Sequence, residues 1–167
     1  MTLPDDFQYH AGVFAFIKAK WLAQELEPIC GSPIEVLFAC ALFTTVEGMH
    51  GEIQVLKPTQ NIPDQAEFFL KPQTQIGAHR VDFLLGGKGL NALVVECDGR
   101  EFHHANRQQI DRDRQRDRDI NELGYRVLRY PGTQITNETW YVAADALAEL
   151  SKPFVVGFMN RYPRMIP

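Results

Sequence analysis

The sequence predicts an α/β sandwich in which helices flank a mixed β-sheet. Three observations lead to this fold class: two helical patterns come first, short strand patterns separated by turn signals fill about residues 51–98, and a helix–strand–helix order follows. Consecutive strand patterns favour antiparallel pairing, and the later helical connection makes the sheet mixed. At 167 residues and 19.1 kDa, the chain fits a single domain over 1–167.

The helices before the sheet have separate signals. Residues 5–27 carry apolar side chains at helical spacing, which predicts an amphipathic helix. The next helix is expected to begin after Ser32 as N-cap, with Pro33 at its first position and Glu35 three residues after the cap. The apolar run IEVLFACALF that follows predicts a helix buried on most sides.

The strand patterns are EIQVL, FFLKPQTQIG, HRVDFLL, LNALVVECD and, after a charged helix over 105–123 that Gly124 ends, YRVLRY. Alternation within HRVDFLL assigns one face to Val81, Phe83 and Leu85. Asp82 lies on the other face, so it is expected beside Glu96 of the neighbouring strand. Residues 137–150 predict a final helix.

A hydrophobic strand that ends in two carboxylates is the most informative feature. Glu96 and Asp98 are separated by one residue, so both project from the same face. Their burial is costly unless a cation meets them, and a divalent metal is the candidate. Oxygen ligands from Asp82, Glu96 and the backbone carbonyl of Cys97 suit Mg²⁺ or Mn²⁺. Asp98 is expected to bind the ion or accept a proton from water, with His103 as the alternative base.

Composition excludes several other classes of protein. The net charge of −4 and the pI near 5.7 argue against a protein that holds nucleic acid by bulk charge alone. The cysteines at 30, 40 and 97 form no close pair, and a zinc site from Cys97, His103 and His104 lacks an evident fourth ligand. The N-terminal residues are acidic and no apolar run reaches membrane-spanning length, so we expect a cytoplasmic protein without a membrane partner.

The helix over 105–123 is dense in interleaved charge, which ordinarily indicates a solvated, ion-paired helix. Its apolar anchors Ile120 and Leu123 share a face with Asp113 and Arg116. Asp113 and Arg116 are therefore expected to point inward beside the acids, or else only to pair with each other across the helix–sheet interface. The outward arginines, which are expected to meet phosphates, are Arg112, Arg114 and Arg118.

Five segments in register resemble a known family: SPIE, RVDF, VVECDGREFH, DRQRD and GYRVLRY. Over about 31–135 the chain resembles small bacterial restriction-endonuclease-like domains, which are similar to the very-short-patch mismatch-repair endonucleases of the PD-(D/E)XK superfamily. The resemblance implies a restriction-endonuclease-like three-layer sandwich. The helix over 5–27 and the C-terminal helix and tail over 136–167 lie outside it.

The resemblance implies a role for each matching residue. Asp82 in RVDF matches the first metal-binding aspartate, and Glu96 matches the acid of the second half-motif. Glu35 matches a helical glutamate that supports the metal, although a purely structural capping box with Ser32 also explains it. Asp98 stands where most of the superfamily has lysine. This departure puts in doubt the usual role of that lysine, which is to stabilise charge near the nucleophilic water. His103 matches the histidine after the DG.

Two functions from different classes follow. The first is a metal-dependent endonuclease acting on nucleic acid, with DNA favoured, in which Arg116 steadies a phosphate and Asp113, its partner in the DRxRD element, orients Arg116. The second is a non-catalytic nucleic-acid-binding or assembly module with a degenerate site, which the Asp98 departure and the acidic net charge favour. The apolar tail, expected to serve a partner or a homodimer, carries Phe154, Val155, Val156 and Phe158.

Overall fold

The computed structural model describes residues 17–49, 51–99 and 107–152. Its elements in chain order are a helix over 17–26 (α1), α2 Pro33–Gly48, β1 Ile53–Val55, β2 Phe68–Ile76, β3 His79–Gly87, β4 Leu93–Asp98, α3 Arg107–Glu122, β5 Arg126–Pro131, α4 Gly132–Asn137 and α5 Thr139–Leu150. Every strand expected from the sequence is present. The start of the helix expected over 5–27 and the apolar tail from 153 onward lie outside the described residues. No helix within these ranges is long and apolar enough to cross a membrane.

The five strands form one sheet in the order β1-β2-β3-β4-β5. β2, β3 and β4 are antiparallel neighbours, whereas β1 runs parallel to β2 and β4 runs parallel to β5. The mixed sheet is therefore confirmed. The expected antiparallel pairing is wrong only for β1, because the connection over 56–67 returns the chain to the starting end before β2 begins.

Two apolar layers pack on opposite faces of this sheet. The larger layer joins α2 and α5 to β3 and β4, and includes Phe38, Leu42, Phe83 and Val95. The smaller layer lies on the α3 side and is built around Leu84, Val94 and Ile120. Helices on both faces make the molecule a three-layer α/β sandwich, as predicted.

The sheet has an irregular point where Gln73 of β2 faces Asp82 of β3. The register on either side pairs Pro72 with Phe83 and Thr74 with Val81. Gln73 has φ +47°, in the left-handed region that residues other than glycine rarely adopt. Phe83 belongs to the α2 layer but Val81 belongs to the α3 layer, although strict alternation would place them together. The expected shared face of Val81 and Phe83 is therefore wrong, because the pleat reverses at Gln73 and Asp82.

Helix α3 packs on the sheet through its C-terminal half. Ile120 is completely buried, as expected, and Gly124 at φ +92° ends the helix while the amide of Tyr125 donates to the carbonyl of Ile120. Leu123, the second expected anchor, is 54% exposed. Among the α3 side chains that the structure describes, which begin at 111, Ile120 is the one buried aliphatic anchor, and polar contacts hold the helix beside it.

We expect Ile120→Ala to destabilise the fold by about 2–5 kcal/mol, because the truncation leaves a cavity in the smaller apolar layer. Leu123→Ala is the matched control on the same helix and should cost less than about 1 kcal/mol, since most of that side chain already contacts water. Urea unfolding followed by circular dichroism gives both values. Equal losses in the two variants would contradict this description of how α3 is anchored.

Candidate active site

The candidate site lies where β3 and β4 part. The ladder between these strands pairs Leu85 with Leu93, Leu84 with Val94 and Phe83 with Val95. One residue further along, the backbone amide of Cys97 donates to Oδ2 of Asp82 at 2.8 Å, so a side chain of β3 joins β4 here. β4 continues beside β5 as far as Asp98. Asp82 and Glu96 therefore meet at a fork in the sheet, as expected from the sequence.

Glu96 is buried at this fork and is held by α3. Only 6% of the residue is exposed, and its Oε1 accepts a hydrogen bond from Nη2 of Arg116 at 2.7 Å. The same Nη2 donates to the carbonyl of Arg80 at 2.7 Å. Arg116 thus points inward, as its place on the helix predicted. Its guanidinium neutralises a carboxylate that would be costly to bury alone.

Burial raises the pKa of both carboxyl groups. The pKa of Glu96 is raised from 4.5 to about 7, first by burial and then by the charge of Asp82, while Arg116 opposes the rise. The pKa of Asp82 is raised by burial, and the amide of Cys97 and a hydrogen bond with Glu96 oppose that rise. Carboxyl groups that interact this closely titrate as a pair. The pair therefore binds a proton more readily than an exposed carboxyl group does.

Glu35 lies buried in the first turn of α2 and joins three segments. Its Oε2 accepts from the amide of Gly31 at 2.9 Å and from Nε2 of Gln73 at 2.8 Å, and its Oε1 accepts from the hydroxyl of Ser32 at 2.7 Å. Ser32 precedes the helix as expected, but its hydroxyl binds Glu35 instead of capping a helix amide. The charge of Glu35 also raises the pKa of Asp82, so Glu35 acts on the carboxyl pair.

The remaining candidate ligands and bases occupy different places. The Cys97 side chain packs in the apolar layer beneath α2, where burial raises the pKa of its thiol. A thiol that resists ionisation is a poor zinc ligand. Asp98 is half-buried at the end of β4, in register with Pro131 of β5. His103 and His104 lie outside the described residues.

The charged residues of α3 divide between two environments. Arg112, Arg114 and Arg118 are exposed, in line with the expectation that they face outward. Asp113 is also exposed, which corrects the expectation that it points inward beside Arg116, but its charge still acts on Arg129 next to Glu96. All side chains over 111–115 are exposed, and among the side chains described the first that contacts the sheet is Arg116.

A second arginine lies beside Glu96, and it was not among the site residues expected from the sequence. Arg129 of β5 is in register with Glu96, and its Nη2 donates to Oδ1 of Asp117 on α3 at 2.6 Å. Burial lowers the pKa of Arg129, but Asp117 and Glu96 raise it further, so the guanidinium stays charged. Parallel pairing of β4 with β5 was the only available signal, and the register of that pairing cannot be read from one sequence.

A five-stranded mixed sheet with helices on both faces, with acids at the fork, defines a restriction-endonuclease-like domain. The model of the restriction-endonuclease-like family REase_MTES_1575 matches residues 60–150. This match covers more than half of the chain, so the protein belongs to that family. It includes Asp82, Glu96 and Arg116 but not Glu35. Comparisons with curated proteins and with solved structures gave no match.

Two carboxyl groups are too few for a metal site built entirely from protein side chains, but they are the number that Mg²⁺ commonly uses. Among the described residues, no group of three or more His, Cys, Asp or Glu side chains is arranged to hold a metal. Mg²⁺, however, usually takes one or two protein carboxylates and fills its other positions with water and substrate phosphate. Asp82 and Glu96 could supply two such carboxylates; burial is the first cause of their raised pKa values, and the charge of Arg116 opposes the rise in both.

Glu96→Gln should stabilise the protein at pH 8 but not at pH 4. A carboxyl group whose pKa rises from 4.5 to about 7 on folding favours the folded state below its unfolded pKa and loses that contribution as pH rises through 7. The difference corresponds to about 3 kcal/mol. Gln carries no charge at any pH, so the advantage of the variant should grow between pH 4.5 and 7.

Urea unfolding of the metal-free protein at several pH values measures this effect. Glu122→Gln, which changes an exposed glutamate on α3 in the same way, is the matched control and should have little effect on stability at either pH. A stability gain for Glu96→Gln that does not depend on pH would contradict the raised pKa.

Proposed function

We propose that this protein is a Mg²⁺- or Mn²⁺-dependent endonuclease that hydrolyses phosphodiester bonds in DNA. The observation that carries the proposal is the meeting of Asp82 and Glu96 at the fork between β3 and β4, inside the region that matches a restriction-endonuclease-like family. The buried carboxyl group of Glu96 and the half-buried one of Asp82 form a pair that a divalent cation would stabilise. We also propose that, within the restriction-endonuclease-like proteins, this chain is similar to the very-short-patch repair endonucleases.

Each residue has a distinct task in this proposal. Asp82 and Glu96 hold the ion, and the backbone carbonyl of Cys97 offers a third oxygen. A bound divalent ion supplies charge stabilisation at the phosphate and lowers the pKa of a water molecule. Asp98, at the end of the same strand, accepts the proton that the attacking water loses, and His103 is the alternative base. This assignment gives Asp98 the place that lysine has in most of the superfamily.

Outside the acids, positive side chains on α3 provide the contact with nucleic acid. Arg112, Arg114 and Arg118 are exposed along the helix that carries Arg116 to Glu96. Contacts between arginine and phosphate oxygens hold a nucleic acid without reading its sequence. Glu35 supports the acids from the opposite side of the sheet through Gln73, and Asp113 lies at the exposed start of the arginine-rich surface.

A second candidate is a non-catalytic nucleic-acid-binding module. The observation that favours it is the ion pair between Arg116 and Glu96, because a guanidinium already neutralises one of the two acids. Asp98 in the lysine position favours the same candidate. Such a module would bind DNA in a salt-sensitive manner without cleaving it.

We expect the purified protein to cleave plasmid DNA when Mg²⁺ or Mn²⁺ is present and not when EDTA removes the metal. Asp82→Asn and Glu96→Gln should each lower the rate by roughly a hundredfold or more, because each removes a charged metal ligand. Lys88→Met changes an exposed residue of the β3–β4 turn and should cleave at the wild-type rate. Metal-dependent cleavage that survives Glu96→Gln would contradict the assignment, and binding without cleavage would favour the non-catalytic module.

A further inference from the structure

We propose that Arg116 is an exchangeable counter-ion: its guanidinium occupies Glu96 in the metal-free protein, and a divalent cation and Arg116 bind Glu96 in alternation. This inference rests on the proposed function, since it concerns the same carboxyl pair. It assigns a regulatory role to a side chain that was expected from the sequence beside the acids, either steadying a substrate phosphate or only pairing with Asp113.

The contacts of Arg116 are those of a residue that fills a cation site. Its Nη2 lies 2.7 Å from Oε1 of Glu96 and 2.7 Å from the carbonyl oxygen of Arg80, so one nitrogen bridges two oxygens. The Glu96 side chain is 7% exposed and that of Arg116 is 23% exposed. The bond that holds the guanidinium therefore lies inside the fork, whereas part of the arginine side chain reaches solvent.

The local charges favour exchange over joint occupancy. Asp82 and Glu96 together carry up to two negative charges, and Arg116 supplies one positive charge. Arg129, the neighbouring guanidinium, is already paired with Asp117 at 2.6 Å. A divalent cation supplies both charges that the carboxyl pair lacks. Arg116 already occupies Oε1 of Glu96, so a cation that binds this oxygen would have to displace the guanidinium.

Exchange would connect metal loading with substrate binding. The carbonyl of Arg80 is a neutral acceptor on an exposed residue of β3, so it holds a released guanidinium only weakly. Arg116 would then lie at the rim of the site, on the helix whose exposed arginines face outward. A phosphate group is the partner that suits a freed guanidinium there. The same side chain thus closes the site without metal and contacts substrate with metal.

The test measures Mn²⁺ binding to the full chain by isothermal titration calorimetry, without DNA. Arg116→Met removes the competing cation and should bind Mn²⁺ about tenfold more tightly than the wild type. Arg116→Lys keeps a positive charge and should gain much less. Lys88→Met, which removes one exposed positive charge elsewhere, should stay within about twofold of wild type. Equal or weaker binding by Arg116→Met would overturn the exchange.

A measurement on the unaltered protein covers the case in which Arg116→Met does not fold. In nitrogen-15 NMR spectra, the Nη protons of Arg116 should be resolved without metal, because the bond to Glu96 restrains the guanidinium. Saturating Mg²⁺ should remove that signal by freeing the group. Persistence of the signal in the Mg²⁺-saturated protein would overturn the exchange.

The results also separate this inference from the proposed function. Metal-dependent cleavage together with equal Mn²⁺ affinity in wild type and Arg116→Met would leave the nuclease assignment standing and overturn the exchange. Tighter Mn²⁺ binding by Arg116→Met in a protein that cleaves no DNA would support the exchange and contradict the nuclease. Absence of Mn²⁺ binding in every variant would overturn both.

Discussion

The carboxyl groups of Asp82 and Glu96 meet inside the sheet at the point where β3 and β4 part. The surrounding contacts offset the cost of placing two acids so close together away from water. Burial and mutual repulsion disfavour the charged forms, which is why the pKa of Glu96 reaches about 7. The amide of Cys97 stabilises one carboxylate and the guanidinium of Arg116 stabilises the other. A fold that served only stability would more easily place apolar side chains here, so the cost of the pair points to function.

Helix α3 is the element that this constraint organises most strongly. Ile120 is the one buried aliphatic anchor among its described side chains, and polar contacts with the sheet help to orient the helix. The ion pair between Asp117 and Arg129 fixes α3 to β5, and Arg116 fixes it to Glu96 one strand away. The dense charge of the helix is therefore divided between Arg116 and Asp117, which contact the sheet, and the exposed arginines Arg112, Arg114 and Arg118.

The sequence allowed the acids and the fold class to be predicted, because alternation along strands and the helical repeat are local properties. Glu96 after a hydrophobic run and Arg116 on the face of Ile120 both followed from such patterns. The reversal at Gln73 did not, because a left-handed residue in a strand is imposed by its neighbours in space. The place of Arg129 beside Glu96 depends on the register between β4 and β5, which is a long-range property. Asp113 was expected to point inward and is exposed, because periodicity gives the face of a helix but not how closely each turn approaches the sheet.

Crystals of the protein soaked in Mn²⁺ and measured at the manganese absorption edge provide the most direct test. The anomalous difference map should show one ion between the carboxyl groups of Asp82 and Glu96, with the guanidinium of Arg116 moved away from Oε1 of Glu96. An empty position between the two acids at saturating Mn²⁺, with Arg116 still hydrogen-bonded to Glu96, would show that the carboxyl pair is a structural ion-pair centre and not a metal site.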